Sequence, residues 1–320
     1  METTKILIIR FSSIGDIVLT SPIIRCLKQQ LPNAEIHYLT KEKYKNILSD
    51  NPYITKIHTL NHSINDTIEE LKKEKFHFIV DLHHNMRSLY VKIRMNIPSQ
   101  TFNKLNIRKC LYVKTKQKNI MPNVHIVDRY FQAVKKLNVV NDNEGLEFFC
   151  NDNKFSHPDK YIAIVCGATH YTKQIPPHQI EYLCNNIKGN IVLLGDINDA
   201  KRLENINIGD NVMNLCGQCS LKHSALYIKY SDWVITSDTG LMHIAAAFKK
   251  NIITIWGNTT PQLGMYPYLP DGKGTYMCIE NNNLKCRPCS KIGFKKCPKT
   301  HFKCMNEINT NYILEIIKEV

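Results

Sequence analysis

The chain has no long hydrophobic run. Within its 320 residues no apolar stretch approaches the ~20 residues of a membrane-spanning helix, which excludes an integral helical membrane protein. The start, Met1-Glu2-Thr3-Thr4-Lys5, has neither the basic flank nor the apolar core of a secretory signal, so a cytoplasmic location is expected. Acidic residues are scarce: 28 Asp and Glu stand against 42 Lys and Arg, a formal net charge of +14. Such an excess suits a polyanionic partner, whether nucleic acid, an acidic membrane face or a phosphorylated substrate. A plain bias toward Lys, Asn and Ile accounts for it equally well. No low-complexity segment or short-period repeat is visible, which sets solenoids and disordered arrays aside. The turn Ser12-Ser13-Ile14-Gly15-Asp16 after the first strand has neither P-loop nor GxGxxG spacing, so both readings fail there on residue count.

Strand–helix alternation fills the sequence instead. Lys5-Ile6-Leu7-Ile8-Ile9-Arg10 is a continuous β-branched run of the kind buried on both faces of a parallel sheet. Further strands are expected at 35–40, 57–60, 76–82 and 99–102. Helices are expected at 41–48 and 64–73, and an amphipathic one from His125 to Leu137. Pro22 either kinks the helix that follows the first strand or stands at the first position of a fresh helix capped by Ser21. The polar stretch Asn138 to Lys160 reads as a linker. After it the pattern restarts, with strands at 161–166, 190–194, 212–215, 233–236 and 252–256 and helices between. Two tandem α/β domains are expected, residues 1–150 and 151–320, each with a parallel doubly wound sheet. Ligands of such sheets bind beyond the carboxyl ends of the strands, so chemistry is sought there.

Three turns after buried strands stand out. In Ser237-Asp238-Thr239-Gly240-Leu241-Met242-His243 a small polar turn opens an alanine-rich helix. Free N–H groups at a helix start favour phosphate, Gly240 admits close approach, and His243 shares a face with Thr239. A capped helix start with no ligand explains the same residues. In Cys166-Gly167-Ala168-Thr169-His170-Tyr171-Thr172-Lys173, Thr169 and Thr172 offer donors and Lys173 a charge for a diphosphate; a mobile loop with a solvated lysine is the plain alternative. In Ser12-Ser13-Ile14-Gly15-Asp16, Asp16 can serve as a general base or as a helix cap.

Four ordered segments together resemble the ADP-heptose:lipopolysaccharide heptosyltransferases, glycosyltransferase family 9. They are the run from Ile6 to Pro22, Asp81-Leu82-His83-His84-Asn85-Met86-Arg87-Ser88, His125-Ile126-Val127-Asp128-Arg129-Tyr130, and Asp238-Thr239-Gly240-Leu241-Met242-His243. The resemblance runs from about Lys5 to Met305. It implies a GT-B fold of two Rossmann-like domains facing across a cleft, the first taking the acceptor and the second the nucleotide sugar. It also implies inverting transfer of a heptose from ADP-heptose to the lipopolysaccharide inner core. Asp16 matches the catalytic aspartate and Lys173 the lysine that steadies the leaving diphosphate. Asp238, Thr239, Gly240 and His243 match the donor site, Asp199 an acidic residue that holds the ribose, and Arg87 and Arg129 basic positions on the acceptor side. No cofactor is required for such catalysis. The expected partners are an ADP-sugar and an anionic, lipid-linked saccharide, with peripheral contact at the inner membrane face and no nucleic acid. Two departures, His83-His84 after Asp81-Leu82 and Gln174-Ile175-Pro176 after Lys173, fall where substrates are contacted.

Cysteine is plentiful, with twelve residues. Cys26, Cys110, Cys150, Cys166 and Cys184 lie in or beside apolar runs and read as reduced core residues. Cys286, Cys289, Cys297 and Cys304 fall within twenty residues among lysines. They are read as a structural zinc or iron site, as free thiols or as disulfides. The basic stretch Lys104 to Lys118 fits a phosphorylated lipid or acidic leaflet, or simply a solvated loop. Rival readings are a heptosyltransferase of protein acceptors or of another nucleotide sugar, a nucleic-acid-binding protein with a four-cysteine metal module, and an inactive scaffold. No nucleic-acid-reading motif supports the second of these, and Asp16 with Lys173 argues against the last.

Overall fold

The computed structural model describes residues 3–60, 63–152 and 154–318. Asn153, inside the expected linker, lies outside the described residues. The chain forms two compact units, residues 1–105 with 124–149, and residues 106–123 with 150–320.

The first unit holds a five-stranded, wholly parallel sheet: β1 (Thr4–Ile9), β2 (Ala34–Lys41), β3 (Lys56–Leu60), β4 (Phe78–Asp81) and β5 (Ser99–Thr101), in the order β3-β2-β1-β4-β5. β1 pairs with β2 through Thr4–Ala34 to Ile9–Leu39, and with β4 through Ile6–Phe78 to Ile9–Asp81. Burial on both faces explains its unbroken apolar run, since Ile6, Leu7, Ile8 and Ile9 are all solvent-inaccessible. One core layer joins Leu7, Ile9, Leu39 and Ile79 of the sheet to Ile68, Leu71, Val91 and Met95 of two covering helices. The polar segment before residue 150 is tied to this unit chiefly by the buried Arg25. Arg25 donates from Nε to Asp142 Oδ2 at 2.7 Å and from Nη2 to Asp142 Oδ1 at 2.8 Å, and its Nη1 lies 3.1 Å from Glu147.

The second unit repeats the plan with six parallel strands: β6 (Tyr161–Val165), β7 (Asn190–Leu194), β8 (Val212–Asn214), β9 (Trp233–Ser237), β10 (Asn251–Trp256) and β11 (Tyr276–Glu280), ordered β11-β10-β9-β6-β7-β8. In both sheets the strand order reverses beside the unit's first strand, β1 or β6. In an open α/β sheet that reversal opens a crevice at the strands' carboxyl ends.

Several details differ from expectation. Pro22 stands in a fresh helix, Ser21–Gln30, but the cap is Thr20 and not Ser21. Residues 126–137 are not one α-helix; a turn of α-helix (Ile126–Tyr130) tightens into a 3-10 stretch (Phe131–Leu137). Lys104–Lys118 is no loop: Asn106–Thr115 is helical and belongs to the second unit, where Tyr112 is buried and Lys116 Nζ donates to the Pro288 carbonyl. Cys110 is exposed on that helix, so it is not a core residue. Strand β11 went unforeseen, its first residues Tyr276 and Met277 being surface-exposed.

Candidate active site

In the first unit Asp16 occupies the first turn of the helix Ile14–Val18, just past the carboxyl end of β1. Its Oδ1 lies 2.5 Å from Arg10 Nη2, and its Oδ2 accepts from the Ser13 N–H at 3.1 Å and the Ser13 hydroxyl at 2.8 Å. Burial on its own would raise this carboxyl. The Arg10 charge and the Ser13 donors outweigh it and bring Asp16 down to about 2. Arg10 is almost fully buried; its Nη1 donates to the Leu82 carbonyl at 2.5 Å and its Nε to the Ser12 carbonyl at 2.8 Å. Burial opposes the Arg10 charge, but Asp16 more than compensates, holding the guanidinium above its ordinary value. Tyr130 stacks beneath, its ring centroid 6.0 Å from the guanidinium carbon.

Asp81, at the end of β4, builds the neighbouring turn. Its Oδ1 accepts the N–H groups of His83 (3.0 Å) and His84 (2.8 Å), and its Oδ2 takes the Ser88 hydroxyl at 2.9 Å and Lys92 at 3.0 Å. Asn85 and Ser88 cap the helix Met86–Met95 reciprocally. Arg87, in that helix's first turn, is exposed. Arg129 is the opposite: 4% exposed, it donates from Nη1 to the Asn103 carbonyl at 3.4 Å, while Nε and Nη2 find no acceptor among the described residues. Burial lowers its guanidinium from the usual value. A desolvated arginine with two open donors is suited to an anion.

In the second unit Lys173 and Asp238 meet. Lys173 Nζ lies 2.6 Å from Asp238 Oδ2, and the Thr259 hydroxyl donates to the same oxygen at 2.9 Å. Lys173 follows β6, Asp238 follows β9 and Thr259 follows β10, so three strand ends converge on one carboxylate. Thr239 stands at the N-cap position of the helix Gly240–Ala247 without a side-chain capping bond, its hydroxyl 3.3 Å from that of Thr236, and His243 is buried one turn in. Thr169 is exposed in the loop after β6.

Two residues expected at the donor have their polar atoms engaged by the protein. The Thr172 hydroxyl accepts the Phe294 N–H at 2.8 Å and donates to the Phe294 carbonyl at 3.2 Å. Asp199 is buried; Oδ2 accepts the Asp196 N–H at 2.9 Å, and Oδ1 lies 3.3 Å from Arg202. Burial raises its carboxyl. Gly167 is required beneath it, since a Cβ there would lie 1.8 Å from Asp199 Oδ2.

The four late cysteines share one region. Cys289 Sγ donates to the Cys286 carbonyl at 3.1 Å, and Cys286 Sγ lies 3.8 Å from His301 Nε2. Burial and the neighbouring thiols push Cys289 up to about 11 and Cys304 to about 12. Among the described residues, the three-donor grouping within 4.8 Å is a different one, His37, His58 and Glu74. There the two imidazoles bond each other at 2.9 Å and Glu74 is paired with Lys56 at 2.5 Å.

Sequence reasoning passed over Arg10 and Tyr130 as functional residues. The available signal was position: a charged residue at the last step of an otherwise apolar buried strand has to find a partner.

Residues 64–297 match the family described as glycosyltransferase family 9 (heptosyltransferase). The chain is 25% identical to lipopolysaccharide heptosyltransferase 1 of Campylobacter coli, over 99% of this chain and 98% of that one. Among solved structures, a family 9 glycosyl transferase from Veillonella parvula superposes with a TM-score of 0.77 at 16% identity, covering 100% of this chain and 97% of that one. The E. coli heptosyltransferase WaaC with ADP gives 0.68 at 18% identity, covering 99% of each. The two-unit α/β architecture is the GT-B-like fold of these structures. By sequence match and fold alike, the chain belongs to glycosyltransferase family 9, the heptosyltransferases.

Proposed function

We propose that this enzyme transfers a heptose from ADP-heptose to the inner core of lipopolysaccharide with inversion at the anomeric carbon. One observation supports the reading beyond family membership: polar and charged side chains gather at the carboxyl ends of the strands in each unit, the ionised Asp16 in the first and, in the second, the Lys173–Asp238 pair and the helix start at Thr239, which we read as the diphosphate site.

In this reading an acceptor hydroxyl oxygen bonds to the anomeric carbon as the bond from that carbon to the diphosphate oxygen breaks. The hydroxyl proton passes to Asp16 and the electron pair leaves with ADP. A carboxylate held at about 2 is a weak base toward a resting alcohol. It takes the proton only as the forming bond acidifies the hydroxyl, which ties proton transfer to bond formation. Arg10 positions Asp16 and keeps it ionised. Charge growing on the leaving diphosphate meets Lys173 and the helix start at Thr239 and Gly240, with His243 behind them. These groups supply the positive charge, and we assign no metal ion to the step. Asp238 holds Lys173 until the diphosphate competes for it. Arg129, with two open donors, and Arg87 would take anionic groups of the acceptor.

We assign Cys286, Cys289, Cys297 and Cys304 a structural zinc or iron ion. Four thiols in a short segment are a soft donor set of the kind that holds zinc or iron. Binding would draw the sulfurs closer together and secure the segment after β11.

Calorimetry with ADP, UDP, GDP and NAD tests the donor assignment. Selective ADP binding that weakens in Thr239→Ala is expected; equal binding of all four, or an unaffected variant, would overturn it. Mass-spectrometric detection of a heptosylated acceptor tests the reaction itself.

A further inference from the structure

Two successive histidines close the turn after β4, and their rings are used differently. His84 is committed to the fold: its Nδ1 donates to the Phe102 carbonyl at 3.0 Å. His83 is half-buried, and its Nδ1 is fully buried with no hydrogen-bond partner among the described residues. Its Nε2 is likewise unbonded but is not buried, so the ring meets solvent at that edge. A buried polar atom without a partner costs free energy, and a histidine kept only for packing would pair it.

The ring is held beside Asp16. In the first sheet the strand order reverses between β1 and β4; Asp16 follows the one and His83 the other, so the two flank the crevice where ligands of such sheets bind. Arg10 grips Asp16 with Nη2 and the Leu82 carbonyl with Nη1, and the His83 N–H donates to Asp81 Oδ1 at 3.0 Å, so the backbone is pinned on both sides of the residue. The imidazole meets the Phe11 ring edge-on, centroids 4.8 Å apart, and Phe11 opens the turn that leads to Asp16. Burial first, then the charges of Arg10 and Lys104, push the imidazole down to about 4 against the pull of Asp81 and Asp16, so it is uncharged at neutral pH. A neutral imidazole carries one ring proton. At Nδ1 that proton would be a buried donor without an acceptor; at Nε2 it faces solvent, and the Nε2–H tautomer is favoured.

We propose that His83 is an acceptor-binding residue whose Nε2–H donates to a second hydroxyl of the acceptor sugar while Asp16 takes the proton of the hydroxyl that reacts. An uncharged donor on a fixed backbone suits a neutral sugar oxygen, whereas Arg129 with its two open donors suits an anion. Held at two points, the sugar presents one hydroxyl to Asp16 and not its neighbours. The inference rests on the transfer reading of the preceding section and adds the residue that selects which acceptor hydroxyl is used.

The test compares wild type with His83→Leu, His83→Gln and His83→Asn, using a deacylated, water-soluble acceptor saccharide. Leucine replaces the ring without a donor; a glutamine amide nitrogen falls near Nε2 and an asparagine amide nitrogen near Nδ1. His83→Leu should raise the acceptor KM by about 3- to 10-fold, the size of one neutral hydrogen bond, with kcat changed less. Glutamine should recover most of that loss and asparagine should not. ADP affinity should be the same in all four proteins, and the melting temperature of His83→Leu should not fall, since it no longer buries an unpaired nitrogen. Acceptor analogues that each lack one hydroxyl supply a second arm: one of them should be several-fold poorer for wild type, with no further loss in His83→Leu. An unchanged acceptor KM in His83→Leu, equal recovery by asparagine and glutamine, or a loss of ADP affinity together with a fall in melting temperature would overturn the assignment. If wild type transfers to no acceptor, the transfer reading falls, and calorimetric binding of the same saccharide decides His83 by the same comparison. No binding of the saccharide by wild type would overturn both.

Discussion

Arg10 Nη2 meets Asp16 Oδ1 at 2.5 Å while Arg10 Nη1 holds the Leu82 carbonyl, so one buried guanidinium joins the end of β1 to the end of β4 and fixes the carboxylate between them. The carboxylate is thereby ionised, oriented and weakly basic at once.

Replacing that guanidinium should make Asp16 a different acid. In Arg10→Gln only the Ser13 donors are left to offset the burial that raises the carboxyl, so its pKa rises from about 2 toward the ordinary carboxylate range. The base form is active, so the acid limb of kcat/KM moves upward in pH. Wild type should keep its rate down to the pH at which it unfolds, whereas the variant should lose rate below about pH 5. Asp16→Asn should lose roughly 10²- to 10⁴-fold in kcat across the profile, with ADP affinity preserved. The same depressed pKa stabilises the fold above the unfolded-state value, and this contribution disappears as pH falls through about 2. A pH–rate profile of Arg10→Gln that superposes on wild type would remove Arg10 from the mechanism.

Lys173 and Asp238 form a pair that the diphosphate has to open, so their effects on ADP binding should not add. Lys173→Ala removes a charged donor and leaves Asp238 facing the incoming anion, which should weaken ADP by about 10- to 100-fold. Asp238→Asn frees the lysine and should cost less. In the double variant the loss should fall below the sum of the two, because the uncompensated carboxylate is gone. Calorimetric titration of the four proteins measures the coupling directly, and strict additivity would show that the pair is not disrupted on binding.

Thr172 and Thr239 separate stability from binding. Thr172→Val leaves the Phe294 N–H and carbonyl without the hydroxyl that serves both, a loss of about 1–3 kcal/mol that thermal unfolding should register as a fall of several degrees. Its ADP affinity should barely change. Thr239→Ala should behave in the opposite sense.

Much of this was legible in the sequence because apolar strands and the turns after them are local features. The run from Ile6 to Ile9 and the turns at Asp16, Lys173 and Asp238 sit where strand–turn–helix units put them. What escaped depends on side-chain pairing, burial and contacts that the pattern of residue types does not show. Residues 106–123 lie between segments of the first unit, and tertiary contacts such as the Lys116–Pro288 bond assign them to the second. Asp199 sits at a strand end like the other site residues, yet its carboxylate is taken by Asp196 and Arg202, a pairing that spacing alone cannot separate from a ligand contact. The exposure of Met86 and Ile93 was hidden because an apolar helical residue is assumed to face the core.

The late cysteines yield a prediction that does not depend on activity. If the four thiols hold a structural ion, protein purified without chelator should carry about one zinc or iron per chain by elemental analysis. Removal of the ion should lower the melting temperature, since metal bound only by the folded state contributes to folding free energy. Cys286→Ser and Cys304→Ser should each lose the ion and melt lower, and added metal should restore neither. Cys110→Ser, on an exposed helix, should retain both ion and stability. Thiol titration supplies the contrary outcome. Metal-free protein with all twelve thiols reactive on unfolding in the absence of reductant, and a melting temperature indifferent to chelator, would make the segment a set of reduced cysteines. Its order would then rest on Arg287, which donates to the carbonyls of Trp256, Gly257 and Thr259 and lies 2.8 Å from Glu280. In that case Arg287→Met, and not the cysteine variants, would loosen the segment and depress the melting temperature most.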